Sequence, residues 1–135
     1  MAIRNRNYRS GFTLIEVLMV VVILAVLAAV IIPRFTGYAD KGSQSSTKTN
    51  LQTLRSAVQA YYVTNSNTWP ASTLASLLTT QGGTLRVIPK ESVSNSAKVV
   101  NSLDGTGGWF YDTTNHDVFV NLNGNDTSGT PYNTY

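Results

Sequence analysis

From Phe12 to Ile32 every residue is apolar except Thr13 and Glu16, and Pro33 closes the run. As an α-helix at about 1.5 Å per residue this stretch measures roughly 31 Å, close to the hydrocarbon thickness of a bilayer. No other part of the chain approaches its apolar density. A chain with such a segment must bury it in lipid or against other helices, so it constrains fold and function first. Glu16 is the anomaly. An ionisable group near the head of an apolar helix is costly unless partnered, and by default it marks a functional position.

The 135 residues leave room for one modest domain beside the helix. There is no cysteine, which excludes disulfides, thiolate metal sites and cysteine nucleophiles together. The pI near 9.3 invites a nucleic-acid reading. However, Arg4, Arg6 and Arg9 all precede Gly11, and the remainder holds seven basic side chains against seven acidic ones. The basic excess belongs to the leader, where it reads as a positive-inside signal. No specific nucleic-acid partner is expected.

A basic leader followed by a long apolar run has three readings. A secretory signal has a shorter apolar core and a cleavage site after it; here Ala25, Ala28 and Ala29 lie inside the run. A plain single-span anchor explains the length but leaves Glu16 unexplained. The third reading is a family resemblance. Arg9-Ser-Gly-Phe-Thr-Leu-Ile-Glu16 resembles the class III signal of type IV prepilins and type II secretion pseudopilins. The resemblance implies that a membrane peptidase removes residues 1–11 by cutting between Gly11 and Phe12, then methylates the Phe12 nitrogen. It also implies that Glu16 pairs with the Phe12 ammonium of a neighbouring subunit. The alternative for Glu16 is a carboxylate snorkelling to the headgroup layer.

Pro33 lacks an N–H and crowds the preceding turn, which predicts a kink or local melting around Ala29–Ile32. Filaments of the family that the chain resembles are commonly unwound in this region. Many members carry a helix-breaking glycine where Ala25 stands here.

Beyond Pro33 the pattern changes. Leu51, Leu54, Val58, Tyr61 and Tyr62 recur at helical spacing, with Lys48, Gln52, Arg55 and Gln59 largely on the other side. This predicts an amphipathic helix over 38–64, continuous with the apolar one. The Tyr61-Tyr62 pair reads as core packing. After Trp69-Pro70, Ser72 is placed to cap a short helix over 72–78 that faces Leu74, Leu77 and Leu78 inward and ends at Gly82-Gly83. Strands are expected at about 98–100, 108–112 and 117–122, with a turn over Thr113–His116 and with Val118, Val120 and Leu122 on one face.

The organisation expected is therefore a leader (1–11), a transmembrane or filament-core helix (12–35) and a headgroup (36–135). The fold class is α+β: a long N-terminal helix, hydrophobic then amphipathic, packed on a small antiparallel sheet, as in pilins. Major pseudopilins commonly bind calcium near the C-terminus, so the resemblance makes Asp117, Asn123, Asn125 and Asp126 weak calcium candidates. The spacing is not that of an EF-hand, and a solvated turn is the plainer reading; no cofactor is otherwise expected.

No catalytic constellation is visible. His116, the single histidine, falls in a predicted turn, the carboxylates are scattered, and no glycine-rich phosphate loop follows a strand. A structural subunit, not an enzyme, is expected. The resemblance implies a precursor held in a bacterial inner membrane, then an extracellular or periplasmic filament. Partners would be other copies of the chain, the prepilin peptidase/methyltransferase, and an assembly platform with its ATPase. The main reading is a type IV pilus-like subunit serving adhesion, twitching motility or DNA uptake. The alternative is a major pseudopilin of type II secretion, and outside the family a monomeric membrane-anchored binding domain competes.

Overall fold

The computed structural model describes residues 11–78 and 83–135, without the side chains of residues 34–36. The basic leader up to residue 10 and Gly82 at the expected helix stop lie outside that description. Helix α1 spans Leu14–Thr64. The melting expected around Ala29–Ile32 is not seen, because the helix continues through these residues and Pro33. Proline denies one N–H to the carbonyl of Ala29. The turns before it, with Leu24, Ala25, Leu27, Ala28 and Ala29, consist largely of strong helix formers and contain no glycine.

Internal contacts divide the chain into two compact units, with the boundary between Thr36 and Gly37. In the first, the apolar side chains stand uncovered: Phe12 is 88% exposed, and the large residues from Leu14 to Ile32 are all exposed.

The second unit contains the core. Gln44, Thr47, Leu51, Leu54 and Val58 of α1 are buried at spacings of three and four, one helical face. They meet a three-stranded sheet of β1 (Val99–Val100), β2 (Thr106–Asp112) and β3 (Asp117–Leu122), in that order. The sheet is mixed, not antiparallel throughout. β2 and β3 pair antiparallel around the Thr113–His116 turn, but β1 pairs parallel to β2, with Val99 opposite Trp109. The reason is local. Gly105, Gly107 and Gly108 all adopt positive φ, so the chain turns back and starts β2 beside the strand it has just left. Strand β2 thus begins two residues earlier than its sequence pattern suggests, with an irregularity between Thr106 and Trp109.

Trp109, Tyr111, Val118 and Val120 point to the core with Leu51, Leu54, Ala57, Val58, Leu74, Leu77 and Tyr132. Leu122 packs against them half-buried, and Phe119 faces away and stacks on Phe110. The helix expected over 72–78 is a single 3-10 turn, Ala75–Leu77. Ser72 does not cap it; Leu74 precedes it at φ 55°, held by a hydrogen bond from its N–H to the Ala71 carbonyl at 2.8 Å. Burial of Leu74 and Leu77 overrides local helix propensity here.

Candidate functional site

The head of α1 is built by four consecutive residues. Gly11, Phe12 and Thr13 are non-helical, and Leu14 begins the helix. Thr13 is the N-cap. Its hydroxyl oxygen accepts the N–H of Glu16 at 3.3 Å, and Glu16 Oε2 accepts the backbone N–H of Thr13 at 2.8 Å. The Thr13 hydroxyl also donates to Oε2 at 3.0 Å. This reciprocal arrangement is a capping box, which satisfies two of the orphan donors at a helix N-terminus. It also sets a carboxylate at the positive end of the helix dipole. Glu16 therefore has a partner inside its own chain, a third solution beside snorkelling and pairing with a neighbour. The signal was in the sequence: Thr-Leu-Ile-Glu directly ahead of an apolar run is the capping-box pattern.

The peptide bond between Gly11 and Phe12 lies outside the helix, two residues before its first turn. Both residues are exposed, and a side chain at Gly11 would meet nothing within 4 Å. Below this junction the helix is long and apolar enough to cross a membrane, and none of its most apolar window is buried.

The four calcium candidates make different contacts. Asp117 opens β3, and its Oδ1 accepts from Arg55 Nε at 2.8 Å and from the Val118 N–H at 2.7 Å. The Asn123 side chain lies against Gly105, where a Cβ would approach its amide nitrogen to 2.0 Å. Asn125 bridges by its backbone to Pro131, and Asp126 accepts from Ser128, Thr130 and Tyr135. Among the described residues, no group of three or more His, Cys, Asp or Glu side chains is placed to hold a metal ion. His116 stacks on Trp69 at 4.3 Å, and Trp69 stacks on Tyr62 at 4.0 Å, so Tyr62 and His116 flank one indole.

Two residues that sequence reasoning missed organise the headgroup. Glu91 is fully buried and accepts hydrogen bonds from the Thr47 hydroxyl at 3.0 Å and the N–H groups of Val93 and Ser94 at 2.5 and 2.8 Å. The Ser94 hydroxyl donates to it as well. Asn121, also fully buried, accepts the N–H groups of Asp104 and Gly105 and donates to the Gly107 carbonyl. Nothing in local spacing marks either residue, because the contacts that tie them into the fold are distant in sequence: the Thr47 hydroxyl of α1 for Glu91, and the Asp104 and Gly105 N–H groups for Asn121.

Residues 6–32 match the family described as the prokaryotic N-terminal methylation motif. The chain is 31% identical over 113 residues to the type II secretion system core protein G of Vibrio cholerae, covering 75% of this chain and 77% of that protein. It belongs to the type IV pilin and type II secretion pseudopilin family. Core protein G of Klebsiella michiganensis is 32% identical over 94 residues, 70% of this chain and 60% of the relative. The type IV major pilin protein PilA of Myxococcus xanthus is 44% identical over 59 residues, 44% of this chain and 25% of that pilin. The chain thus spans well under two thirds of the Myxococcus pilin and somewhat less than two thirds of the Klebsiella protein. No solved structure matches. Members of this family are structural subunits, and the capping box and the uncovered helix are the two features that mark the N-terminal part of this pilin-like chain.

Proposed function

We propose that this chain is a structural filament subunit that is stored in a membrane and polymerised through α1. The observation that carries the reading is the helix itself: an apolar run with every large side chain exposed, headed by a capped glutamate and followed by a folded headgroup. Such a surface is stable in lipid or against sister helices, and water is excluded in either state. Moving from one to the other re-buries the same area, so extraction would need work supplied by an assembly platform and its ATPase.

The precursor would reside in the inner membrane, with its basic leader in the cytoplasm. Cleavage between Gly11 and Phe12 leaves the capping box whole, because the Thr13 N–H belongs to the following peptide bond. It also creates an ammonium at Phe12, close in sequence to Glu16. A neighbouring subunit's Glu16 would take this charge as partner, so a subunit docked out of register would bury a charge alone. In this reading the chain is a substrate of the peptidase/methyltransferase and has no catalytic role.

Both arms of the family fit this geometry. The match to core protein G continues beyond the apolar helix, since it covers 75% of this chain and must include much of the headgroup. That observation favours a periplasmic pseudopilus serving secretion over a surface pilus. Filaments sheared from cells provide the test. N-terminal sequencing and intact mass should show a chain beginning at methylated Phe12, and Glu16→Ala should leave membrane insertion intact while reducing filament yield at least tenfold. A full-length chain beginning at Met1 and confined to the membrane, or normal filaments from Glu16→Ala, would count against the proposal.

A further inference from the structure

The C-terminal part of the headgroup, residues 123–135, folds around one carboxylate. Asp126 Oδ1 accepts the backbone N–H groups of Ser128 at 2.7 Å and Thr130 at 2.9 Å. Its Oδ2 accepts the Tyr135 hydroxyl at 2.5 Å and lies 3.6 Å from Lys48 Nζ on α1. The Asp126 side chain is only 4% exposed, whereas that of Lys48 is 51% exposed. The same ammonium stands 4.2 Å from the centroid of the Tyr135 ring, within cation–π range.

The fold family suggests calcium in this region, so the donor set can be tested against that ion. Calcium takes about six to eight oxygens at about 2.3–2.6 Å, with carboxylates dominant among them. Here both oxygens of Asp126 accept N–H or O–H donors, and the nearest charged group is an ammonium. The other candidate carboxylate, Asp117, is held by the Arg55 guanidinium. The residues present do not fit the ion.

A different arrangement is visible. One face of α1 sends three polar side chains to the segment. Gln44 donates to the Tyr132 hydroxyl at 3.0 Å and accepts the Thr127 hydroxyl at 2.8 Å. Lys48, one turn on, sits between Asp126 and Tyr135. Arg55, two turns further, donates through Nη2 to the Tyr135 backbone oxygen at 2.8 Å. Side chains at i, i+4 and i+11 share a helical face, so one seam of α1 grips the segment along its length.

We propose that Lys48 is the built-in counter-cation of Asp126, standing where a divalent ion would otherwise hold the C-terminal segment, so that the headgroup closes independently of calcium. The inference holds whether or not the chain polymerises. An internal ammonium needs no capture from solution and cannot be removed by a chelator, but its attraction is screened by salt.

Near-ultraviolet circular dichroism of the full chain in detergent micelles tests this, because the core and segment carry Trp109, Tyr132 and Tyr135. The wild-type melting temperature should be the same in millimolar calcium and in excess EGTA, and isothermal titration should detect no saturable calcium binding. Lys48→Met, which keeps the length of the side chain and removes the charge, should melt about 4–8 °C lower, and calcium should not restore it. Lys48→Arg should stay close to wild type. A wild-type melting temperature that rises with calcium or falls with EGTA overturns the proposal even if Lys48→Met cannot be purified. So does a Lys48→Met protein that melts with the wild type.

Discussion

Glu16 and Glu91 are both carboxylates held by donors close to hand, the first exposed at the head of α1 and the second fully buried. For Glu16 the donors are the N–H and hydroxyl of Thr13, three residues away, and the pattern can be read in the sequence. For Glu91 they are two N–H groups of its own turn, the Ser94 hydroxyl and the Thr47 hydroxyl of α1, the last from 44 residues away. Removing the Glu91 carboxylate leaves the buried Thr47 hydroxyl without its acceptor and frees the partly buried donors of Val93 and Ser94. Each such donor costs about 1–3 kcal/mol. Glu91→Ala should therefore lower the melting temperature by about 10 °C or more, on the scale of about 4–8 °C per kcal/mol for a headgroup of this size. Glu91→Gln, which keeps one carbonyl oxygen, should lose less. Thermal melts of the two variants beside wild type check the order. Equal stability of Glu91→Ala and wild type would contradict the role assigned to the turn.

At the level of elements, local rules served the helix and the hairpin well. The apolar spacing along α1 and the alternation in β3 are carried by adjacent residues, so periodicity reveals the buried face directly. The direction of β1 is a different matter. Whether two residues pair parallel or antiparallel depends on the path of the loop between them, and three glycines at positive φ set that path. Gly108 is the critical one. At φ 83° it brings its Cα so close to Lys98 that a Cβ would lie 2.3 Å from that residue's carbonyl oxygen, the acceptor of the Trp109 N–H at 2.8 Å. Gly108→Ala combines backbone strain with a clash against backbone, which predicts a loss of about 2 kcal/mol or more. The measurement is hydrogen exchange: the Trp109 amide should lose protection at least tenfold, while amides pairing β2 to β3 beyond Phe110 keep theirs.

For the molecule as a whole, the two units differ in what stabilises them. The first, among the described residues, is a helix whose large apolar side chains are all exposed. The second has a core and a set of hydrogen-bonded carboxylates, which make its stability depend on pH. The Asn121 amide, with the Thr106 N–H and hydroxyl, holds the Asp104 carboxyl down at about 2. The Tyr135 hydroxyl and the N–H groups of Thr130 and Ser128 hold Asp126 down at about 2 as well. Both values lie below the ordinary range near 4, so the folded chain binds fewer protons than the unfolded chain in between. The stabilisation is complete above pH of about 4 and is lost as the pH falls toward about 2. Urea midpoints of the full chain in micelles should fall across that window and be nearly flat from about pH 5 to 7. Combining Asp104→Asn with Asp126→Asn should flatten the acid limb.

Residue order alone specifies what depends on neighbours along the chain. The apolar run, the Gly11-Phe12 junction, the one-sided helix beyond Pro33 and the alternation in β3 are periodicities or short motifs, and their physical consequences are local. The family resemblance rested on the same stretch, residues 9–16. Features that depend on groups meeting from a distance emerge only when the chain is packed. Leu74 and Leu77 reach the core through a single 3-10 turn because burial outweighed the weak helix signal around Ser72. Glu91 finds Thr47, Asn121 finds the backbone of residues 104–107, and Lys48 finds Asp126 across 78 residues, as the packing of the headgroup requires. No spacing rule encodes such meetings. They follow from which faces are buried together, and a buried polar group then takes whatever partner the fold has brought within reach.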